Sequence, residues 1–301
     1  MDSPLAFPVQ LQRNTISVLD ETKLPLEETY IRVKTLEDAL QVLGQMKTRA
    51  FGQVLLFFYT CVLTGEIEAV AAAFNKTRPT FDFFSLADTL KGAVQKTSTL
   101  QEAAMRIIQG LDEKKKVRMQ RLAVILPNDA RILTLCNVNG ELIYLSEALT
   151  EIGKTGAFFV SETRPYLQGA RLTLWELRRA HIPAQVFCDN QAAVLMKQGL
   201  VNCVVTGSDR STERGDVINK IGTYALARLA HYFTIPFYVL TQFPQAIDIA
   251  EVPIEERPPK EVFMWLEGNG PWPEALYPSF DVIPAEFISG WIDLSGEVRC
   301  A

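Results

Sequence analysis

The sequence predicts an α/β protein. A mostly helical N-terminal domain with a small antiparallel β unit is followed by a Rossmann-like domain built on a parallel sheet. The chain has 301 residues and is 48% apolar, which suits a large core and about two domains. Helical spacing dominates the first part, whereas short apolar runs alternate with helical segments after Pro127. We therefore assign residues 1–118 to the first domain and 119–301 to the second.

The first domain is expected to begin with strands and to continue as helices. Short β-forming runs on either side of a turn-like stretch predict the antiparallel unit, at residues 16–19 and 30–33. Helical spacing follows over residues 36–73, with expected breaks at Gly44, Gly52 and Gly65. Two more helices are predicted, at about residues 77–91 and 99–126.

The stretch from Gln53 to Phe74 is unusually apolar for a surface helix. It is either a buried helix or a contact between subunits. A run of this length would not stay exposed on a soluble monomer, so part of it is expected at a two-fold interface.

The second domain is expected to carry a parallel sheet with helices between its strands. Five apolar runs predict the strands Arg131–Leu135, Ala157–Val160, Ala184–Phe187, Val201–Thr206 and Phe237–Leu240. The intervening helices are predicted at about residues 142–152, 170–181, 190–198 and 217–233. Parallel strands joined by right-handed crossovers end at one edge of the sheet, where ligands bind in such folds. Polar residues follow four of the strands: Cys136, Glu162–Arg164, Asp189 and Asp209.

The stretch from Val204 to Thr223 concentrates charge at such a strand end. It places carboxylates, guanidinium groups and glycines between a buried strand and the predicted helix. Asn219 and Lys220 would then lie in the first turn of that helix. A cation there opposes the helix dipole, so Lys220 is poorly placed for stability and well placed to meet an anion. The alternative is a solvated loop whose charges pair with one another.

Cys136 and Asp209 are the pair most suited to chemistry. A thiol at a strand end can act as a nucleophile or carry a proton, whereas a cysteine inside a strand, such as Cys203, is usually inert packing. Both histidines lie in helical segments and suit structural roles. Five cysteines without CxxC spacing support neither a disulfide framework nor a zinc site, and no short nucleotide-binding or hydrolase motif occurs.

Composition excludes several classes of partner. The net charge is −5 and no basic stripe occurs, which argues against nucleic acid. The first residues do not resemble a signal peptide, and no apolar run reaches the length of a membrane span. We therefore expect a cytoplasmic protein that binds a small molecule or another protein.

Several long phrases resemble the methylthioribose-1-phosphate isomerase family: LDETKLP (19–25), ILTLCN (132–137), ETRPYLQGARLTLWEL (162–177), GSDRSTERGDVINKIGTYALA (207–227), IPFYVL (235–240), IEER (254–257) and PSFDVIPAEFI (278–288). That family shares its fold with ribose-1,5-bisphosphate isomerase and with regulatory subunits of the eukaryotic exchange factor for translation initiation. The resemblance runs nearly end to end. It implies a helical N-terminal domain, a Rossmann-like C-terminal domain and a homodimer.

The resemblance also implies an activity, the isomerisation of a pentose 1-phosphate from aldose to ketose. The expected substrate is S-methyl-5-thioribose 1-phosphate or a close analogue. Cys136 and Asp209 would be the proton-transfer pair. Arg49 and Arg78 would hold the phosphate, and three residues would surround the sugar: Gln168, Asn219 and Lys220. No metal or redox cofactor is implied.

A second function stays open, that of a non-catalytic regulatory subunit that binds a sugar phosphate or nucleotide, as in the translation-factor branch of the fold. Arg49 is followed by Ala50 and Phe51 where the family has Gly-Ala-Pro. Leu135 replaces the usual histidine before Cys136, and the segment behind it is shorter. These altered loops favour the regulatory subunit, whereas the retained Cys136 and Asp209 favour the enzyme.

Overall fold

The computed structural model describes residues 3–79, 81–242, 244–252, 254–266 and 273–300. The chain divides after Lys114 into two compact units. Among the described residues, no helix combines the length and the apolar character that a membrane span requires.

The first unit begins with an antiparallel sheet of three strands in the order β1 (Val9–Gln12), β2 (Thr15–Leu19) and β3 (Tyr30–Val33). Its helices are α1 (Leu36–Gly44), α2 (Phe51–Thr64), α3 (Ile67–Thr77) and α4 (Phe83–Val94). The next helix, α5 (Leu100–Ile125), contributes residues to both units. β1 was not predicted.

The apolar run from Gln53 to Phe74 lies in the core of its own unit. Phe57, Phe58 and Phe74 are completely buried there and pack in one aromatic cluster. Burial inside the unit therefore accounts for this run, and its composition no longer requires a subunit interface.

Gly52 does not interrupt a helix, contrary to the prediction. α2 begins at Phe51, and the interruption is the preceding loop, residues 45–50. A Cβ at Gly52 would lie 1.9 Å from the Thr48 hydroxyl and 3.0 Å from Pro8. Gly52 is therefore a site of close packing inside the first turn of the helix, whereas Gly44 and Gly65 do mark helix ends.

The second unit contains the strands β4 (Asp129–Thr134), β5 (Thr155–Ser161), β6 (Ala184–Phe187), β7 (Cys203–Gly207), β8 (Arg210–Ser211), β9 (Val217–Lys220), β10 (Phe237–Leu240), β11 (Phe280–Ile283), β12 (Gly290–Ile292) and β13 (Val298–Cys300). Its further helices are α6 (Glu141–Glu151), α7 (Leu174–Arg179), α8 (Ala192–Lys197) and α9 (Thr223–Tyr232). A π-helical turn, Gly169–Thr173, precedes α7. The five predicted strands are all present.

Among the described residues, the main sheet has seven strands in the order β13-β12-β10-β7-β4-β5-β6, and of these only β13 pairs antiparallel. The strand order reverses between β4 and β7, as in doubly wound Rossmann-type sheets. Ile132 lies in one apolar core and its neighbour Leu133 in another, so both faces of the sheet are covered. The structure thus confirms a mixed α/β fold with a mainly parallel sheet.

The predicted helix over residues 217–233 is wrong in its first part. Val217–Lys220 is β9, which pairs antiparallel with both β8 and β11 and forms a separate three-stranded sheet. The helix begins only at Thr223, after Gly222 with a φ of 100°. Asn219 and Lys220 therefore lie in a strand, because buried Val217 and Ile218 find a partner strand about sixty residues away, beyond any local pattern.

Candidate functional site

The candidate site lies where the order of the strands reverses. Cys136 follows β4 and Asp209 follows β7, and these strands are neighbours in parallel register, with Leu133 opposite Val204. In doubly wound sheets this crevice at the carboxyl ends of the strands is the usual ligand site. The structure therefore places the two residues singled out in the sequence at the expected edge.

Two glycines let the loops of this edge approach closely. A Cβ at Gly207 would lie 3.0 Å from Val138 Cγ1, on the loop that carries Cys136. A Cβ at Gly222 would lie 3.2 Å from Leu135 Cδ1, immediately before Cys136. The loops around Cys136, Asp209 and Lys220 are therefore in contact.

The backbone of Cys136 is held on both sides by threonine hydroxyls. Its amide donates to Thr163 Oγ1 over 2.9 Å, and its carbonyl accepts from Thr173 Oγ1 over 2.5 Å. Cys136 has a φ of 66° and Thr163 a φ of 64°, values that non-glycine residues rarely adopt. Such strained residues persist where surrounding contacts enforce them, and they concentrate at functional sites. These contacts fix the half-buried thiol at the end of β4.

Asp189, at the end of β6, has a structural role. Its carboxylate accepts from the Ser161 hydroxyl, from the Thr163 amide over 2.8 Å and from the Arg164 amide over 2.7 Å. Three donors leave little capacity for a ligand. Asp189 therefore shapes the loop after β5, and this loop in turn holds Cys136.

Gln168 faces the interior just before the π-helical turn. The residue is only 3% exposed, and its side-chain oxygen Oε1 has no hydrogen-bond partner among the described residues. A Cβ at Gly169 would lie 1.8 Å from the Ser161 carbonyl oxygen, so only glycine allows the turn to pack here. An unpaired buried amide oxygen is uncommon in native structures and suits a ligand contact.

Asp209, Asn219 and Lys220 are brought together by the small antiparallel sheet. The amide of exposed Asp209 donates to the Ile218 carbonyl over 2.8 Å. Buried Asn219 donates through Nδ2 to Thr223 Oγ1 over 3.0 Å. The Lys220 ammonium lies 4.6 Å from the centre of the Phe280 ring.

The predicted anion site at the helix N-terminus is also wrong. The carboxylate of Asp281 accepts from the Gly222 amide over 2.7 Å and from the Tyr224 amide over 3.0 Å. These are donors that a bound phosphate would need, and Asp281 supplies the negative charge that the helix dipole favours. The Gly222 and Tyr224 amides are therefore occupied and do not serve an anion near Lys220.

Arg49 and Arg78, in the first unit, lie beside the same loop, residues 45–50. Arg49 belongs to this loop, and Arg78 Nη1 lies 2.8 Å from Met46 Sδ. The carboxylate of Glu21 accepts from Thr48 Oγ1 over 2.6 Å and lies 3.9 Å from Arg49 Nη1. Both arginines therefore lie at the loop 45–50, and the buried carboxylate of Glu21 contacts the same loop.

The pKa of Glu21 gives a testable pH dependence. Burial raises this pKa from 4.5 to about 7, while Arg49 and the hydrogen bond from Thr48 partly offset the effect and Asp20 adds to it. The folded state therefore holds the proton more tightly than the unfolded chain. The stabilising contribution is full below pH 4.5 and is lost as the pH rises through about 7.

We expect this group to lower the free energy of unfolding by about 2 to 3 kcal/mol between pH 5 and pH 8, and Glu21→Gln to remove that loss. Urea unfolding of both proteins at the two pH values measures it. Glu27→Gln, at an exposed carboxylate, is the control. An equal loss in wild type and Glu21→Gln would contradict the assignment.

Thr173 is a site residue that sequence reasoning missed, and Thr163 was predicted only as part of the strand-end stretch Glu162–Arg164. Both lie in the segment 162–177, and the resemblance of this segment to the isomerase family indicated that it lies near the site. Their contacts with Cys136 span 27 and 37 residues of sequence, and no local pattern reveals them.

The fold and the site together define a doubly wound α/β protein in which Cys136 and Asp209 follow neighbouring strands at the switch point. The profile of the Initiation factor 2 subunit family matches residues 31–298. The chain belongs to this family.

Relatives of two kinds are similar to it. A methylthioribose-1-phosphate isomerase of Carboxydothermus hydrogenoformans is 37% identical over 95% of this chain and 94% of its own, and one of Thermotoga maritima is 36% identical over 95% and 93%. The crystal structure of 5-methylthioribose 1-phosphate isomerase from Pyrococcus horikoshii OT3 has a TM-score of 0.78 at 26% identity, covering 100% of this chain and 95% of that one. Translation initiation factor eIF-2B subunit delta from A. fulgidus also has a TM-score of 0.78, at 25% identity, covering 98% and 96%. These similarities confirm the resemblance found in the sequence.

Proposed function

We propose that the protein is an aldose-ketose isomerase that converts S-methyl-5-thioribose 1-phosphate, or a close analogue, to the corresponding ribulose 1-phosphate. The observation that carries the proposal is the position of Cys136 and Asp209 on adjacent strands at the switch point of the sheet. Relatives that carry the isomerase name and match 95% of the chain support the choice of substrate.

The chemistry explains why two proton-transfer groups are needed. The anomeric oxygen carries the phosphate, so the ring cannot open by loss of an anomeric hydroxyl proton. An acid must protonate the ring oxygen as its bond to C1 breaks. The hydrogen on C2 then moves to C1, and the C2 hydroxyl loses its proton as the carbonyl forms. The proton gained at the ring oxygen balances the proton lost at C2, so one acid and one base suffice.

Cys136 and Asp209 would share these two roles. The backbone contacts from Thr163 and Thr173 support a fixed position for the thiol, which proton transfer to or from a defined oxygen requires. Asp209 is exposed, so we expect bound sugar to cover it and to exclude water during the reaction.

The remaining residues would bind the substrate. Arg49 and Arg78 would hold the phosphate, since guanidinium groups match its oxygens in geometry and charge. The other three predicted ligands would contact the sugar: Gln168, Asn219 and Lys220. The buried amide oxygen of Gln168 and the hydrogen bond from the Asp209 amide to the Ile218 carbonyl, two residues before Lys220, support these roles.

The proposed reaction needs neither a metal nor a redox cofactor, because no electron leaves the sugar. We place the protein in the cytoplasm, where a free thiol such as Cys136 remains reduced. We also propose a homodimer, which rests on the resemblance to the isomerases. Light scattering should then give twice the 33.7 kDa mass of the chain, and the single mass at micromolar concentration would contradict it.

A non-catalytic regulatory subunit that binds a sugar phosphate or nucleotide is the second candidate. The observation that favours it is the equal TM-score, 0.78, with eIF-2B subunit delta. Such a subunit would need the ligand site but not the Cys136 thiol. A measurement of turnover therefore distinguishes the enzyme from the regulatory subunit.

The experiment is to incubate pure protein with S-methyl-5-thioribose 1-phosphate, ribose 1-phosphate and ribose 1,5-bisphosphate and to follow ketose formation. We expect turnover of the first compound, and the other two test the analogues. Ligand-induced shifts in melting temperature are measured in parallel. A shift without ketose formation from any of the three would reject the isomerase and support the regulatory subunit.

A further inference from the structure

The segment 276–279, which precedes β11, has two buried hydroxyl groups on its inner face. Burial alternates along it: Leu276 and Pro278 are exposed, whereas Tyr277 is 6% and Ser279 2% exposed. An extended segment points alternate side chains to the same side. The two hydroxyl groups therefore face the interior of the second unit together.

Tyr277 lies near the segment that carries Gln168. Its ring lies 6.3 Å from the ring of Tyr166, two residues before Gln168. Burial raises the pKa of Tyr277 above its ordinary value, and nearby Tyr166, Glu261 and Cys136 raise it further while Arg257 lowers it.

Ser279 lies beside the strand that carries Lys220. Its carbonyl accepts from the Ile221 amide over 3.0 Å, and the next residue, Phe280, is opposite Lys220 in the sheet. The segment therefore extends from Tyr166, close to Gln168, to the strand that carries Lys220.

Neither hydroxyl has a hydrogen-bond partner within the part of the chain that the structure describes. Burying such a group without a partner is destabilising, and native proteins seldom do so unless a ligand or water completes the bond. The neighbouring phenol of Tyr166 shows the contrast, because it donates to Glu261 Oε2 over 2.6 Å and accepts from Arg257 Nη2 over 3.0 Å.

We propose that Tyr277 and Ser279 bind hydroxyl groups of the sugar and so determine specificity at its C3 and C4 end. This rests on the proposed function and deepens it. In a 5-thiopentose 1-phosphate only the C2 and C3 hydroxyls are free, and the C2 hydroxyl reacts. Ring opening then creates a new hydroxyl at C4. The substrate therefore has two hydroxyl groups that need hydrogen-bond partners and do not react. The segment has two hydroxyl groups that can bind them.

The test compares wild type with Tyr277→Phe and Ser279→Ala, each of which removes only the hydroxyl oxygen. Activity is measured on S-methyl-5-thioribose 1-phosphate and on its 3-deoxy analogue. We expect wild type to prefer the first substrate in kcat/KM by at least tenfold. At least one variant should reduce that preference roughly tenfold. Once the protein hydroxyl is removed, binding of the deoxy compound no longer leaves that hydroxyl buried without a partner.

Thermal unfolding without ligand separates this role from a structural one. Tyr277→Phe and Ser279→Ala should melt at or above the wild-type temperature, because each removes an unpaired buried polar group. Tyr166→Phe, the matched control, should melt below wild type because it breaks two hydrogen bonds. If both variants keep the full preference, or if both melt well below wild type, the proposal is overturned.

If the proposed function is wrong, the wild-type protein shows no turnover of either substrate. This result is distinct from a loss of substrate preference in the variants. The melting-temperature shift induced by S-methyl-5-thioribose 1-phosphate then takes the place of kcat/KM. A wild-type shift that is reduced in the variants supports sugar binding by the segment without catalysis. No shift in wild type rejects both proposals.

Discussion

Cys136→Ser should lower kcat by roughly a hundredfold or more while leaving substrate affinity close to that of wild type. A general acid or base acts mainly in the transition state, so its loss appears in kcat and in kcat/KM alike. Serine keeps the size of the side chain but is a far weaker acid than a thiol. Asp209→Asn should have an effect of similar size, because an amide neither accepts nor releases the proton. Steady-state kinetics and ligand-induced melting shifts measure the two quantities separately.

Cys188→Ser is the matched control for this prediction. Cys188 also follows a strand at the same edge of the sheet, and its thiol is exposed. Its replacement should leave kcat within about twofold of wild type, since exposed substitutions away from a site have small effects. Near-wild-type turnover in either Cys136→Ser or Asp209→Asn would reject the proton-transfer pair.

The parallel sheet and the edge that carries the site could be predicted from the sequence because both depend on local patterns. Buried parallel strands appear as continuous apolar runs, such as Val201–Thr206, without needing knowledge of their neighbours. Polar residues directly after these runs then lie at one edge by the handedness of the crossovers. Cys136 and Asp209 were found in this way.

The environment of Lys220 could not be predicted because it depends on contacts distant in sequence. Asp281 caps α9 across a separation of 59 residues from Gly222, and β11 pairs with β9 over a similar distance. Locally, the run from Val217 resembles the start of a helix, and helical spacing continues through it. Pairing with β11 and capping by Asp281 reverse that preference, as tertiary contacts often do for short segments.

Tyr277 and Ser279 show the same limit for site residues. Nothing in their own spacing distinguishes them from exposed loop residues. Their importance lies in being buried without a partner, which only the folded structure reveals.

Arg118 and Glu141 form a buried ion pair behind the loop of Cys136. Arg118 Nη2 lies 2.5 Å from Glu141 Oε1, and Arg118 Nη1 donates to the Thr241 carbonyl over 2.8 Å. The two residues are 2% and 3% exposed. Glu141 begins α6, five residues after Cys136, and Thr241 follows β10. The pair therefore joins α5 to two loops at the edge of the sheet that carries the site.

Arg118→Ala should lower the free energy of unfolding by about 3 to 5 kcal/mol, because it leaves the Glu141 carboxylate buried without its cation. The double variant Arg118→Met/Glu141→Leu should lose far less, since it removes both charges and keeps the apolar volume. Arg106→Ala is the control on the same helix, because its pair with Glu102 is exposed and worth about 0.5 kcal/mol or less. Urea unfolding of the four proteins measures all three effects. If the double variant is as unstable as Arg118→Ala, the loss arises from packing and the buried charge is not its cause.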